Sequence, residues 1–143
     1  MAGYGQSFAN SMLLLWFNGT AIPNLADNAA SSPLTNLYVS LHTEDPTSTG
    51  DQTTHECAYT SYARVPVART SSGWTITDNK VVPVADIVFP TCTGGSETAK
   101  FFVIGKASSG AGLIMYVGDL NPTIAIANTI VPRIKSTSSI QEN

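Results

Sequence analysis

The residue types best suited to chemistry lie together in one short stretch. His55, Glu56 and Cys57 are consecutive, and His42 ends a predicted strand nearby. Zinc requires three or four such ligands converging on one point. Because adjacent strand residues point to opposite faces, His55 and Cys57 can face together while Glu56 cannot. The favoured interpretation is a loop entering a strand, with a zinc site as the alternative. We expect no metal and no cofactor.

Other catalytic patterns are weak. Acidic residues surround the same stretch at Glu44, Asp45, Asp51 and Glu56, but their spacing differs from the calcium-loop motif, so a solvated loop is favoured. A Ser-His-Asp combination can be chosen from this sequence, but the many serines make such a combination expected by chance. The sequence contains no phosphate-binding glycine loop and no nucleophile elbow. We therefore expect a protein that is not an enzyme.

Five aromatic residues and two cysteines have structural interpretations. The aromatic residues expected to pack in a core or an interface are Trp16, Trp74, Tyr59, Tyr62 and Tyr116. A carbohydrate-binding module is the alternative, and it requires Trp74, Tyr59 and Tyr62 on one exposed surface. Cys57 and Cys92 are expected to be free, buried thiols, because nothing in the sequence routes the chain to an oxidising compartment.

Composition limits the class of protein. The chain has 143 residues, which suits one domain with its own core. Charged residues make up only 12%, while Ser and Thr together number 32, a balance typical of a β-rich protein with many turns. The net charge of −3 argues against nucleic acid as a partner. The longest apolar run, residues 12–17, is too short to cross a membrane. Low charge also suits a subunit whose surface is covered by neighbours.

One helix is predicted, from about Ser7 to Phe17, with Asn18-Gly19 as its stop. Its apolar stripe comprises Phe8, Met12, Leu15 and Trp16, widened by Leu13, Leu14 and Phe17. A helix this apolar must be covered, either by its own domain, which is favoured, or by a partner. The residues predicted to bind a partner are Phe8, Met12, Leu14, Trp16 and Phe17.

The rest of the chain has strand spacing after a polar arm at residues 19–36. Leu37, Val39 and Leu41 alternate with polar residues, and Thr43–His55 is predicted to be a long exposed loop. Further strands are predicted at 62–69, 74–77, 81–84, 86–89, 101–104, 113–117, 123–127 and 129–134, with residues 108–112 as a hairpin connection. The predicted fold is mainly β, an antiparallel β-sandwich or jelly-roll-like domain with one N-terminal α-helix and an extended arm. The predicted division is helix and arm at 1–36, β-sandwich at 37–135 and a polar, frayed tail at 136–143.

Several sequence segments follow one another in a recognisable order. They are FNGTA (17–21), LYVSLHTEDP (37–46), YARVPV (62–67), VFPTCTGG (88–95), SSGAG (108–112) and MYVG (115–118). In this order, over about residues 7–134, the chain resembles a family of small virion proteins of tailed double-stranded DNA bacteriophages, often loosely labelled tail fibre proteins. LYVSLHTEDP with YARV downstream is the most specific element. The chain departs from the family pattern after Asn128, where it is short and polar.

The resemblance implies a structural subunit of the virion, assembled in the host cytoplasm. The favoured expectation is a capsid decoration, or cement, protein on the outer surface of a phage head. Its expected partners are the major capsid protein and further copies of itself, most simply as a homotrimer. A protein that binds only across assembled subunit junctions stabilises them by mass action. A phage tail or fibre-attachment subunit is the alternative.

Overall fold

The computed structural model describes residues 6–22, 34–47 and 49–141. The predicted arm lies mostly outside them. The elements are α1 (Gln6–Asn18), β1 (Asn36–His42), β2 (Val65–Ala68), β3 (Trp74–Thr77), β4 (Lys80–Pro83), β5 (Ile87–Val88), β6 (Glu97–Gly105), β7 (Ile114–Ile126), β8 (Arg133–Ile134) and β9 (Ile140–Gln141). The fold is mainly β, with antiparallel sheets and one N-terminal helix, which is consistent with the predicted β-sandwich. Within the described ranges, no helix is long and apolar enough to cross a membrane.

The chain forms two compact units. The first combines the residues through Asn36 with 68–86 and the C-terminal segment from 135 onward, and the second combines 37–67 with 87–134. The predicted boundary at residue 36 therefore coincides with one unit boundary. The grouping differs, however, because β3, β4 and the C-terminal segment join the helix instead of the main sheet.

In the first unit, α1 packs on the β3–β4 hairpin, so the predicted docking of the helix on its own domain is confirmed for one face of the helix. Among the helical side chains that the structure describes, residues 9–18, the buried ones are Ala9, Leu13 and Phe17, which are spaced four residues apart. Phe17 meets Trp74 of β3 edge-on, with ring centroids 4.7 Å apart. The buried stripe is thus one position away from the predicted one, because the tryptophan of β3 receives Phe17.

The C-terminal end of α1 is capped by backbone and by an arginine. Gly19 has a φ of 65°, as the predicted Asn18-Gly19 stop requires, and the Thr20 amide donates to the Leu14 carbonyl. Arg69 donates from Nη2 to the Leu15 carbonyl and from Nε to the Trp16 carbonyl, both at 2.6 Å. A cation at this end satisfies orphan carbonyls and complements the helix dipole.

Residues 136–141 of the C-terminal tail are docked by pairing, which corrects the prediction of a frayed segment for this part of the tail. Ile140 is buried and lies opposite Val81, so that β9 extends the β3–β4 sheet by one strand. The Ser136 amide also donates to the Asp86 carboxylate at 2.8 Å. Ile140 is the one buried apolar side chain among residues 136–141, and no periodic pattern marks this strand in the sequence.

The second unit is built on the sheet β2-β1-β6-β7, with β5 and β8 forming a separate antiparallel ribbon. Leu37, Val39 and Leu41 of β1 are completely buried, which confirms the predicted strand. Ser40 and His42 on the opposite face are equally buried. Both faces of β1 are therefore covered, and the second face is polar.

Strand β7 pairs with β6 in three registers, with the shortest segment at Gly105, which pairs with Ile114. Residues Phe101–Ile104 pair with Tyr116–Asp119, and residues 97–99 pair with 124–126, so that 120–123 bulge out of the ladder. The strands predicted at 113–117 and 123–127 are the two arms of this one bulged strand. The predicted hairpin connection at 108–112 joins β6 to β7.

Candidate functional site: a buried polar clamp

A buried ion pair organises the polar interior of the second unit. Arg64 donates from Nε to Glu56 Oε1 at 2.7 Å and from Nη2 to Glu56 Oε2 at 2.8 Å, a two-point geometry. The Arg64 side chain is only 3% exposed. Tyr62 donates its hydroxyl to Glu56 Oε1 and accepts from the Leu41 amide, which connects the ion pair to β1. The Glu56 carboxylate raises the pKa of Arg64 further, so the arginine stays charged.

The same arginine holds the β6–β7 hairpin. Its Nη1 donates to the Ala107 carbonyl at 3.0 Å, and its Nη2 donates to the Gly110 carbonyl at 2.8 Å. Arg64 therefore ties the segment around Glu56 to the hairpin loop. Arg64 donates four hydrogen bonds, two of them to the Glu56 carboxylate, and these satisfy a buried charge that would otherwise cost several kcal/mol.

Gln52 makes a second connection to the hairpin. It is completely buried, its amide N–H donates to the Gly112 carbonyl at 3.0 Å, and its side-chain Oε1 accepts from the Ala107 amide at 2.9 Å. A Cβ atom at Gly105 or at Gly112 would overlap the Gln52 side chain. Glycine at both positions therefore forms a notch that the Gln52 amide fills. We call Gln52, Glu56, Tyr62 and Arg64, with the hairpin atoms they bind, the clamp.

His42 connects β1 to the segment that carries the clamp. Its Nδ1 donates to the Thr54 carbonyl at 2.8 Å, and its Nε2 lies 2.9 Å from Ser40 Oγ. Burial lowers the pKa of His42, which favours the neutral ring. In the neutral ring with its proton on Nδ1, Nε2 accepts a hydrogen bond from the Ser40 hydroxyl, so both ring nitrogens have partners.

These contacts correct the prediction of a fully exposed loop at 43–55. Pro46 and Gln52 are buried, and only the outer part of the loop faces solvent. Local caps order that outer part: the Thr47 amide donates to Asp45, while the amide and hydroxyl of Thr53 donate to Asp51. Thr53 thereby lowers the pKa of Asp51. Glu56, grouped with the solvated acids from sequence, lies in the buried ion pair instead.

The residues considered for zinc do not form a site. His55 is exposed and lies 3.8 Å from Glu44 on the surface, whereas His42 and Cys57 are buried. Among the described residues, no three His, Cys, Asp or Glu side chains come together. Both ring nitrogens of His42 and the carboxylate of Glu56 already have partners within the fold.

Both cysteines are free and buried, as predicted. Burial, together with the nearby Glu97 carboxylate, raises the pKa of the Cys57 thiol to about 12. Cys92 Sγ lies 3.3 Å from the Gly94 carbonyl, to which the thiol donates. A buried thiol that stays protonated near neutral pH is a poor nucleophile and metal ligand.

The aromatic residues of the proposed sugar platform are not on an exposed surface. Trp74 and Tyr59 are buried, and Tyr62 is half-buried. Tyr59 donates its hydroxyl to the Pro90 carbonyl at 2.7 Å and meets Tyr62 edge-on at 5.3 Å. The exposed cluster that a carbohydrate-binding module requires is therefore contradicted, and core packing is confirmed for Trp74 and Tyr59.

The predicted partner-binding residues of α1 have different environments. Phe17 is buried within the first unit against Trp74, whereas Met12, Leu14 and Trp16 are half-buried. The side chain of Phe8 lies outside the described residues.

Sequence reasoning missed the clamp. Arg64 and Gln52 contact hairpin atoms 43–60 residues away in the chain, so no local pattern reveals them. The available signal was an isolated arginine at the start of an apolar strand.

Comparison with known proteins identifies the family. The chain belongs to a family of phage virion structural proteins described as Podophage GP4 fiber I protein gp80, whose model matches residues 9–140. The resemblance to phage virion proteins is thus confirmed, while the family description names a fibre and no capsid. A search of curated proteins found no match.

Proposed function

We propose that the protein is a structural, non-enzymatic subunit of the fibre of a podophage. The observation that carries this proposal is the family match, which spans residues 9–140 and whose description names a fibre protein. This places the tail or fibre alternative ahead of capsid decoration. The protein then acts in the virion. A location on the head surface is the alternative that the test below must exclude.

The clamp supports a structural role. The groups best suited to catalysis are engaged in internal contacts: Glu56 accepts from Arg64 and Tyr62, and His42 bridges Ser40 and Thr54. Their effect is to fix a long loop and a glycine-rich hairpin in one arrangement. A subunit that bears load between neighbours needs such rigid loops, because loosely held loops lose conformational entropy on docking.

Further copies of the chain and adjoining virion subunits are the proposed partners, with a homotrimer as the expected closed assembly. The contact surface proposed on this chain is the part of α1 not buried under the hairpin. Helix α1 contains no charged residue, and its side chains Met12, Leu14 and Trp16 remain half-buried. Residues 12–17 of α1 are all apolar, so this part of the helix presents apolar side chains in every direction, and such a surface is normally covered.

Two neighbouring leucines test this surface. Leu13 is buried and Leu14 is half-buried, so Leu13→Asp should unfold the first unit, whereas Leu14→Asp should fold and fail to enter virions. Circular dichroism reports folding, and complementation of a phage lacking the gene reports incorporation. Normal incorporation of a folded Leu14→Asp protein would remove α1 from the proposed interface.

Virions lacking the protein test the function itself. A fibre subunit predicts particles that keep their DNA on heating as well as wild type but lack a fibre in electron micrographs and adsorb poorly. DNA release is followed with an intercalating dye during a temperature ramp. Release at a lower temperature with normal fibres and normal adsorption would establish capsid decoration instead.

A further inference from the structure

The segment Gln52–Glu56 is held against β1 at its base. The Thr43 amide donates to the His55 carbonyl at 2.9 Å, and the Cys57 amide donates to the Leu41 carbonyl at 2.8 Å, with His42 and Glu56 directly opposite each other. The His42 ring adds the contact to Thr54. The ionisable side chain of His42 therefore lies where β1 contacts the segment that carries Gln52 and Glu56.

The closed arrangement excludes solvent from this ring. His42 has no exposed surface, and its Nε2 accepts from Ser40 in the neutral form. A second ring proton at Nε2 would reverse that bond and require the Ser40 hydroxyl to find another acceptor. Water could solvate the charged ring only if the segment moved away from β1.

The charged groups around His42 have opposite effects on its protonation. Glu56, opposite on the segment, favours a charged ring, but its carboxylate is already bound by Arg64. Arg64 and His55 both disfavour a further positive charge, and burial is the largest effect of all. Protonation in the closed state is therefore unfavourable, while an opened segment would let the ring titrate near the ordinary value for histidine.

We propose that His42 is a proton-operated latch: its protonation in acid releases the segment Gln52–Glu56 from β1 and withdraws Gln52 from the notch formed by Gly105 and Gly112. The rearrangement is local, since the ladder between β1 and β6 does not involve the histidine ring. It does not depend on where in the virion the subunit lies.

The size and direction of the effect follow from proton linkage. The open state binds the proton more tightly than the closed state, so the closed state is fully favoured above the ordinary histidine pKa and loses stability as pH falls below it. One proton shifts the opening equilibrium about tenfold per pH unit between the open-state and closed-state pKa values. Below the closed-state pKa the effect levels off.

Amide hydrogen exchange measured by NMR tests the latch. The sample carries His55→Asn, which leaves His42 as the single histidine, and asparagine tolerates the positive φ at residue 55. After correction for intrinsic exchange rates, protection of the Gln52 and Cys57 amides should fall about tenfold per pH unit below about 6.5. The Cys92 amide, bonded to the Ile130 carbonyl in the same unit, is the control and should not change.

His42→Gln, which cannot titrate, should abolish the pH dependence while keeping a donor for Thr54. If that variant does not fold, the pH dependence in the His55→Asn protein is compared with the ring titration of His42 in the same sample. Loss of Gln52 protection that tracks His42 protonation supports the latch. Unchanged protection while the ring becomes charged, or equal loss at Cys92, overturns it.

Discussion

Substituting Gly105 by alanine probes the contact between Gln52 and the hairpin. The three nearest atoms to a Cβ at this position all belong to the Gln52 side-chain amide, and all lie well inside van der Waals contact. Gly105 has no positive φ, so the substitution introduces a steric conflict without backbone strain. The added methyl group must therefore displace Gln52.

The expected cost comes from two sources. Displacing Gln52 deprives the partly buried Ala107 amide of its acceptor, and leaving a donor unsatisfied away from water costs about 1–3 kcal/mol. Overpacking a closely packed interior adds about 1–3 kcal/mol. Gly105→Ala should therefore lower the free energy of unfolding by at least about 2 kcal/mol. The exposed substitution Ser109→Ala on the same hairpin should change it by less than about 0.5 kcal/mol.

Urea denaturation followed by circular dichroism measures the free energy of unfolding of Gly105→Ala and Ser109→Ala. The single variant Gln52→Ala and the double variant of Gln52→Ala with Gly105→Ala are measured in the same way. Because Gln52→Ala removes the three atoms nearest to the added methyl group, Gly105→Ala should cost much less in that background, with a coupling of about 1.5 kcal/mol or more. An equal penalty for Gly105→Ala with and without the Gln52 side chain would refute the notch.

Three further substitutions or reactions test other parts of the structure. Glu56→Gln leaves the buried Arg64 charge without its counterion and should cost about 3–5 kcal/mol in urea denaturation; a loss below about 1 kcal/mol would contradict the clamp. Cys57 and Cys92 should resist Ellman's reagent at pH 8 in the native protein and give two thiols per chain after denaturation; rapid native labelling would contradict their burial. Ile140→Ala should lower stability by about 2 kcal/mol if β9 docks, whereas a frayed tail would show no change.

The elements that follow local periodicity were predictable from sequence. β1 follows from the alternation of Leu37, Val39 and Leu41, and the helix end follows from Asn18-Gly19, because each pattern reflects a conformational preference of adjacent residues. Helix α1 was predictable as an element but not in its buried face. Residues 12–17 are all apolar, so the position of the β3–β4 hairpin, and not the local pattern, decides which of them are covered.

The clamp was not predictable because its contacts are long-range and polar. Arg64 binds carbonyls of a hairpin that lies more than 40 residues away, and Gln52 fits a gap created by the absence of two side chains. Neither contact has a periodicity or a motif. The same holds for β9, where Ile140 and Gln141 pair with β4 across a long separation in the chain. Such contacts depend on topology, which sequence patterns leave open.

The number of copies per virion tests the proposed role most directly. Purified particles are digested, and the protein is quantified by mass spectrometry with isotope-labelled standards against the major capsid protein. A fibre subunit predicts a small multiple of three or six copies per particle. Hundreds of copies, in proportion to the capsid lattice, would contradict the fibre assignment and restore capsid decoration.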